Sequence, residues 1–256
     1  MSVTGNPWSR LRAFTDARIG LGRAGISLPT AQLLAFQMAH AQARDAVHLP
    51  LDADRLAAEL GAIAGLAPAV ICKTQAVDRA DYLRHPDRGR RLAQGVTLAA
   101  DAPGLALVIA DGLSARAVQD HAAAMVAALV VALLGVRLSA PVVVTQGRVA
   151  VGDDIGVRLG ARAVLVLIGE RPGLSSPDSL GLYYTFAPQV GLTDARRNCI
   201  SNVRPAGLSF DRAAARLAWL HDQAGRMGTS GVTLKDRTAA AAIDGAARSF
   251  LSPPGD

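Results

Sequence analysis

At 256 residues the chain is long enough to build a core without disulfide or metal staples, because a chain of this size removes roughly 70–75% of its unfolded surface from water. Half of it is hydrophobic, 50 residues are alanine, and 25 Gly with 13 Pro form no low-complexity segment, which excludes disordered and collagen-like classes. The net charge of +6 comes from 27 basic and 21 acidic residues with no long block of one sign, and only 5 Phe, 2 Trp and 3 Tyr offer stacking surfaces, so nucleic acid is not an expected partner.

Residues 1–100 are predicted to be mostly helical. Met1 to Pro7 has no charged end followed by an apolar stretch, so no secretory signal is expected. After a loop-rich stretch to Pro29, a helix is predicted from Thr30 to about Val47, where Leu33, Leu34, Phe36, Met38 and the alanines fit a 3.6-residue period and Pro50 closes the segment. Two further helices are predicted near Asp54–Ile63, capped by Asp52 or Asp54, and over Asp81–Gly95. From about Gly104 short aliphatic runs alternate with alanine-rich helices, the rhythm of a parallel sheet. Strands are predicted at Leu105–Ala110, Pro141–Thr145, Ala163–Ile168 and Leu182–Ala187. Helices are predicted from Ala115 to about Leu134 behind a Ser114 cap, at Asp153–Leu159, and at Asp211–Arg226 before an alanine-rich tail. The most apolar run, Ala122–Val136, falls short of the roughly 20 residues that cross a bilayer and reads as a buried helix, so no membrane association is expected. The expected fold is α/β: a mainly helical region over 1–100, then over 101–256 a Rossmann-like, mainly parallel sheet with helices on both faces.

Open sheets of this kind take ligands outside the carboxyl ends of their strands, which singles out the connections Asp111–Ser114 and Gly169–Gly181. The second is rich in Gly, Pro, Ser and charge, either shaped around a ligand or an ordinary surface loop. Gly20-Leu21-Gly22-Arg23-Ala24-Gly25 spells a dinucleotide string, but no hydrophobic strand precedes it, and turn glycines are the plainer reading. His40, His48, His85, His121 and His221 have no metal-ligand spacing, and Ser175, Ser176 and Ser201 no nucleophile-elbow frame, so neither a metal centre nor a hydrolase is expected. Cys72 and Cys199 form no C-x-x-C pair, consistent with a reducing compartment. Glu170, one of two glutamates beside Glu59, stands one residue past the Gly that ends an apolar strand, where it reaches a polar ligand or pairs with Arg171. Cys199 follows Arg196-Arg197-Asn198, either a thiol activated by cations or a small buried packer.

Several strings read together carry more. Thr15-Asp16-Ala17-Arg18-Ile19-Gly20-Leu21-Gly22-Arg23-Ala24-Gly25, Ala43-Arg44-Asp45-Ala46-Val47-His48, Asp81-Tyr82-Leu83-Arg84 and Asp111-Gly112-Leu113-Ser114-Ala115 are joined by Ile168-Gly169-Glu170-Arg171-Pro172-Gly173-Leu174, Asp178-Ser179 and Asn198-Cys199-Ile200-Ser201-Asn202. Over about Trp8 to Leu234 the chain resembles the light-chain, or small-subunit, family of ethanolamine ammonia-lyase. The resemblance implies a subunit of an adenosylcobalamin-dependent lyase that converts ethanolamine to acetaldehyde and ammonia by radical chemistry. It implies no catalytic residue in this chain, a large TIM-barrel catalytic subunit as partner, and six large plus six small chains. The cobalamin is then expected between the two subunits, contacted here at Val149, Glu170 and Cys199. Lacking a D-x-H-x-x-G string, the chain is expected to take the cofactor base-on. The start at Trp8, without the extension some relatives use for packaging in a protein-shelled microcompartment, makes the cytoplasm the expected location. Two other readings stay open: a stand-alone nucleotide-dependent enzyme, and a structural spacer that touches no cofactor.

Overall fold

The structure, a computed structural model, describes residues 3–238. After a 3₁₀ turn at Pro7–Ala13, the elements are α1 (Thr30–His48), α2 (Ala53–Gly61), β1 (Val70–Lys73), α3 (Arg79–Arg84), β2 (Ala106–Ala110), α4 (Ala115–Ala132), β3 (Val142–Thr145), α5 (Val151–Leu159), β4 (Ala163–Gly169), β5 (Leu180–Phe186), β6 (Arg197–Val203) and α6 (Phe210–Met227). Local chemistry sets several boundaries. Asp52 accepts from the Arg55 N–H and Ser114 from the Ala117 N–H, each satisfying a donor of the first helical turn, and Gly160 at φ +66° ends α5 in a left-handed cap.

The six strands form one mixed sheet in the order β1-β3-β2-β4-β5-β6. The first four run parallel, and β5 lies antiparallel to both β4 and β6. Every residue of β2 and β4 is buried, the signature of a strand covered on both faces. Alternate residues divide the core. Leu107, Ile109, Leu165, Leu167, Leu182 and Tyr184 pack with Leu56 and Leu60 of α2, Met125 and Leu129 of α4, and Leu217 and Leu220 of α6. On the other face Val108, Val142, Val144, Val164 and Val166 meet Val151, Ile155 and Leu159 of α5 together with Leu92. By length and composition alone α4 could cross a membrane, yet Val118, Met125, Val126 and Leu129 are spent on this core.

Five helices and four strands lie where the pattern places them, within a few residues. The Asp81–Gly95 helix does not form: α3 stops at Arg84 and only a 3₁₀ turn, Arg88–Arg90, follows. Pro86 disfavours the helical region for His85, and Leu92 turns away to bridge Thr74 beside β1. The first hundred residues are therefore not mostly helical. They hold α1–α3, the strand β1 and long irregular connections punctuated by prolines and by Gly20, Gly22 and Gly25, all at positive φ. Two strands were not foreseen. β1 is a four-residue edge strand, too short for a periodic signal, and it joins the sheet from the first hundred residues by pairing with β3. β6 carries Arg197, Asn198, Ser201 and Asn202 among its apolar residues. The fourth predicted strand exists as β5, and it runs antiparallel in the otherwise parallel run of predicted strands. No helix lies between β4 and β5, so the chain folds straight back, whereas a parallel neighbour needs a longer crossover. The expected alanine-rich tail lies outside the described residues from 239 onward.

Candidate functional site

The chain leaves β2 through α4 toward β3, and leaves β4 through residues 170–179 toward β5, on the other side. The carboxyl ends of these two adjacent strands thus form the switch point at which open sheets bind ligands. Here the two connections touch backbone to backbone. The Leu113 N–H donates to the Gly169 carbonyl at 2.9 Å, and the Ser114 hydroxyl donates to the Pro177 carbonyl at 2.8 Å. A Cβ on Gly112, itself at φ +58°, would run into the Gly169 carbonyl and the Ile168 side chain, and one on Gly169 into the Ser114 carbonyl.

A polar bracket fixes the neighbouring end of β3. The Asp111 carboxylate accepts from the Gln146 and Gly147 N–H groups, both at 2.9 Å, and stands 3.6 Å from the Arg79 guanidinium. Burial pushes its carboxyl up, opposed by those N–H donors and by Arg79. Tyr82 of α3 is fully buried beneath the same turn, and its hydroxyl donates to the Gly147 carbonyl at 3.1 Å. Two guanidiniums lie over the Tyr82 ring, Arg79 at 4.7 Å and Arg148 at 4.1 Å from its centroid.

Against this frame opens a hollow of about 460 Å³, lined by Tyr82, Gly112, Arg148, Val149, Glu170 and Tyr183 among others. A second hollow of about 520 Å³ continues from it, sharing Arg148, Val149 and Tyr183 and bounded by Ala150, Leu192 and Asp194. Val149 therefore faces both, and Glu170 lines the first. The Glu170 carboxylate is held by the Ser179 hydroxyl at 2.7 Å and the Asn202 N–H at 3.2 Å, so its partners are the loop and β6 rather than Arg171. Cys199 lines neither hollow. It sits on β6 in register with Tyr183 of β5, exposed, its sulfur 3.2 Å from the Ser201 hydroxyl. Burial, together with the nearby Cys199 and Glu170, raises the Tyr183 phenol. Cys199 is thus not a buried packer, and the Arg197 beside it is engaged elsewhere: both of its terminal nitrogens bond the Asp153 carboxylate of α5 at 2.7 Å, and Nε bonds Asp194 at 3.1 Å.

The remaining motifs stay apart from this place. Gly20–Gly25 lies in an irregular arm tied by bridges Thr4 to Arg23 and Ala24 to Ser27, with α1 starting only at Thr30, so no strand-turn-helix cradle for a nucleotide exists there. His85 bonds Asp81, His121 faces Asp178 at 3.4 Å, and His221 meets the Tyr184 hydroxyl. Among the described residues no three metal-ligating side chains cluster. His40 and His48 border a hollow of about 570 Å³, but α1 alone supplies its lining, and a helix interior offers no free backbone donor. The Arg79–Tyr82–Arg148 group and the Asp153–Arg197 pair were missed in the sequence. Both join residues far apart in the chain, and only the presence of Tyr82 and Asn198–Asn202 in recognisable strings hinted at them.

Comparison with known proteins agrees with the strings quoted above. The family model described as ethanolamine ammonia-lyase light chain matches residues 5–235. The ethanolamine ammonia-lyase small subunit of Ralstonia nicotianae is 55% identical over 260 residues, covering 98% of this chain and 96% of the relative. That of Azotobacter vinelandii is 56% identical over 254 residues (95% and 93%), and that of Xanthomonas campestris pv. campestris 52% identical over 262 residues (96% and 96%).

Proposed function

The chain belongs to the light-chain family of ethanolamine ammonia-lyase and is a small subunit of that lyase, and from that premise we propose that it holds adenosylcobalamin, base-on, against the large catalytic subunit. One observation carries this reading. Val149, Glu170 and Cys199 come from three different parts of the chain, yet two line one hollow at the switch point and the third stands in register with Tyr183 on its wall. A corrin is broad, apolar on its faces and fringed with amides. The hollow offers matching chemistry: Val149 and the Tyr183 ring as apolar wall, the Glu170 carboxylate as an acceptor for amide N–H groups, and an Arg148 Nε that is buried without an acceptor.

When bound, the cofactor supplies homolysis of its cobalt–carbon bond, the start of the radical chemistry that takes ethanolamine to acetaldehyde and ammonia. This chain's own residues bind, orient and shield. Ser179 and Asn202 keep the Glu170 carboxylate aimed along the rim, and the Ser114–Pro177 hydrogen bond holds the 170–179 connection over the strand ends. No residue here acts on ethanolamine, which is the task of the large subunit.

The reading extends to organisation. Parallel β1–β4 with α4 and α5 on opposite faces support a Rossmann-like description of the cobalamin-contacting region 101–256, with 1–100 as an N-terminal region that lends β1 to the sheet. Six large and six small chains in the cytoplasm, with neither nucleic acid nor membrane as partner, complete the proposal. The test is a complex of this chain with the large subunit, titrated with adenosylcobalamin. Glu170→Ala is expected to weaken cofactor affinity about tenfold, the effect of losing a charge-assisted hydrogen bond, with assembly intact. Unchanged affinity in Glu170→Ala and in equally silent Val149 and Cys199 variants would favour the spacer reading instead.

A further inference from the structure

Building on the cobalamin-holding reading, we propose that Arg148 is an anion-binding residue and that the anion it takes is the phosphodiester of the cofactor's nucleotide loop. Among the described residues the other arginines shielded from solvent, Arg79, Arg197, Arg204 and Arg216, each face a carboxylate. Arg148 is half-buried and faces none. One of its terminal nitrogens donates to the Tyr82 carbonyl at 3.2 Å, and its Nε is buried with no acceptor at all. A buried, unsatisfied donor on a charged group is costly unless a ligand completes it.

Position and orientation agree with this role. The guanidinium lies over the Tyr82 ring, 4.1 Å from its centroid, which fixes its plane before any ligand arrives and reduces the ordering cost of binding. It belongs to the wall shared by the two hollows, so a group spanning them passes over it. A planar fork of N–H donors suits the tetrahedral oxygens of a phosphate better than the neutral amides of a corrin rim. The phosphodiester is the anionic group that cobalamin carries on its nucleotide side. Arg79, over the same ring, also has a buried terminal nitrogen without a partner, but its charge faces Asp111, its other nitrogens bond the Val47 and Gly112 carbonyls, and it lines neither hollow.

The test uses the complex with the large subunit and two corrinoids, cyanocobalamin and dicyanocobinamide, the second lacking the nucleotide loop and its phosphate. Binding is read by equilibrium dialysis and absorbance. Arg148→Met is expected to weaken cyanocobalamin about tenfold while leaving dicyanocobinamide within about twofold, and Arg148→Lys, which keeps the charge but not the fork, to lose less. Where Arg148→Met does not assemble, Arg148→Gln makes the same comparison. Equal loss for both corrinoids, or loss for neither, overturns the assignment. If Glu170→Ala still weakens both corrinoids in that case, the cobalamin-holding reading stands without it; a wild-type complex that binds neither corrinoid overturns both.

Discussion

The two ends of the sheet solve different problems. β4 is buried along its whole length between α4 on one side and α5 on the other, whereas β6 is buried only at Arg197, Ile200 and Val203, because α5 reaches it only at Arg197. In the first region every side chain answers to packing, so its sequence is a run of aliphatics. In the second the covering thins out: Tyr183 is half-buried against the α5-side core, and Cys199 and Ser201 stand exposed. The candidate site lies on the border, where the covering helix ends and the uncovered face begins. Binding surface in this molecule is what remains when one layer of an α/β sandwich stops short.

That contrast can be broken at its seam. Arg197 and Asp153 bridge β6 to α5 with both side chains almost fully shielded, at 2% and 1% exposure. Removing one partner of such a pair strands the other charge, so Arg197→Ala is expected to cost about 3–5 kcal/mol in urea unfolding, while a double change to Met at 197 and Leu at 153 recovers most of it. Next in size is the covered region itself. Leu165→Ala in β4 should lose about 2–5 kcal/mol, whereas Cys199→Ala on the open face stays within about 0.5 kcal/mol. Comparable losses at both positions would mean that β6 is covered after all. The two thiols sharpen the same point chemically. In the isolated chain iodoacetamide should label exposed Cys199 and spare buried Cys72, and adenosylcobalamin should protect Cys199 in the complex. The smallest effect concerns α3. The Arg88 guanidinium, the Val77 N–H and His85 hold the Asp81 carboxyl down at about 2. A carboxyl lowered on folding contributes stability above its unfolded pKa of about 3.9 and loses it as pH falls toward the folded value. Acid unfolding curves of wild type and Asp81→Asn should therefore differ above pH 4 and converge near pH 2.

Legibility follows the same division. β2, β3 and β4 were readable because burial on both faces writes an uninterrupted aliphatic run, and α4 because Ser114 announces its start. β6 was not, since Arg197, Asn198, Ser201 and Asn202 look like loop residues until Ile200 and Val203 are seen packing on the core. The direction of β5 was equally hidden, because a Pro- and Gly-rich connection does not say whether it crosses over or turns back. At the site, strand-end logic pointed to the 111–114 and 169–181 connections, while Val149, Glu170 and Cys199 came from the family resemblance. Arg148 escaped notice because its meaning depends on a ring 66 residues away in sequence.

The contact between Gly112 and Gly169 has a consequence for anyone wishing to reshape this protein. Where two main chains meet with no side chain between them, the floor of the hollow has a width set by peptide planes, and mutation can only spoil it, not tune it. Engineering for a bulkier or slimmer corrinoid has its adjustable parts in the walls, at Val149 and Tyr183, whose side chains project from a foundation that does not move.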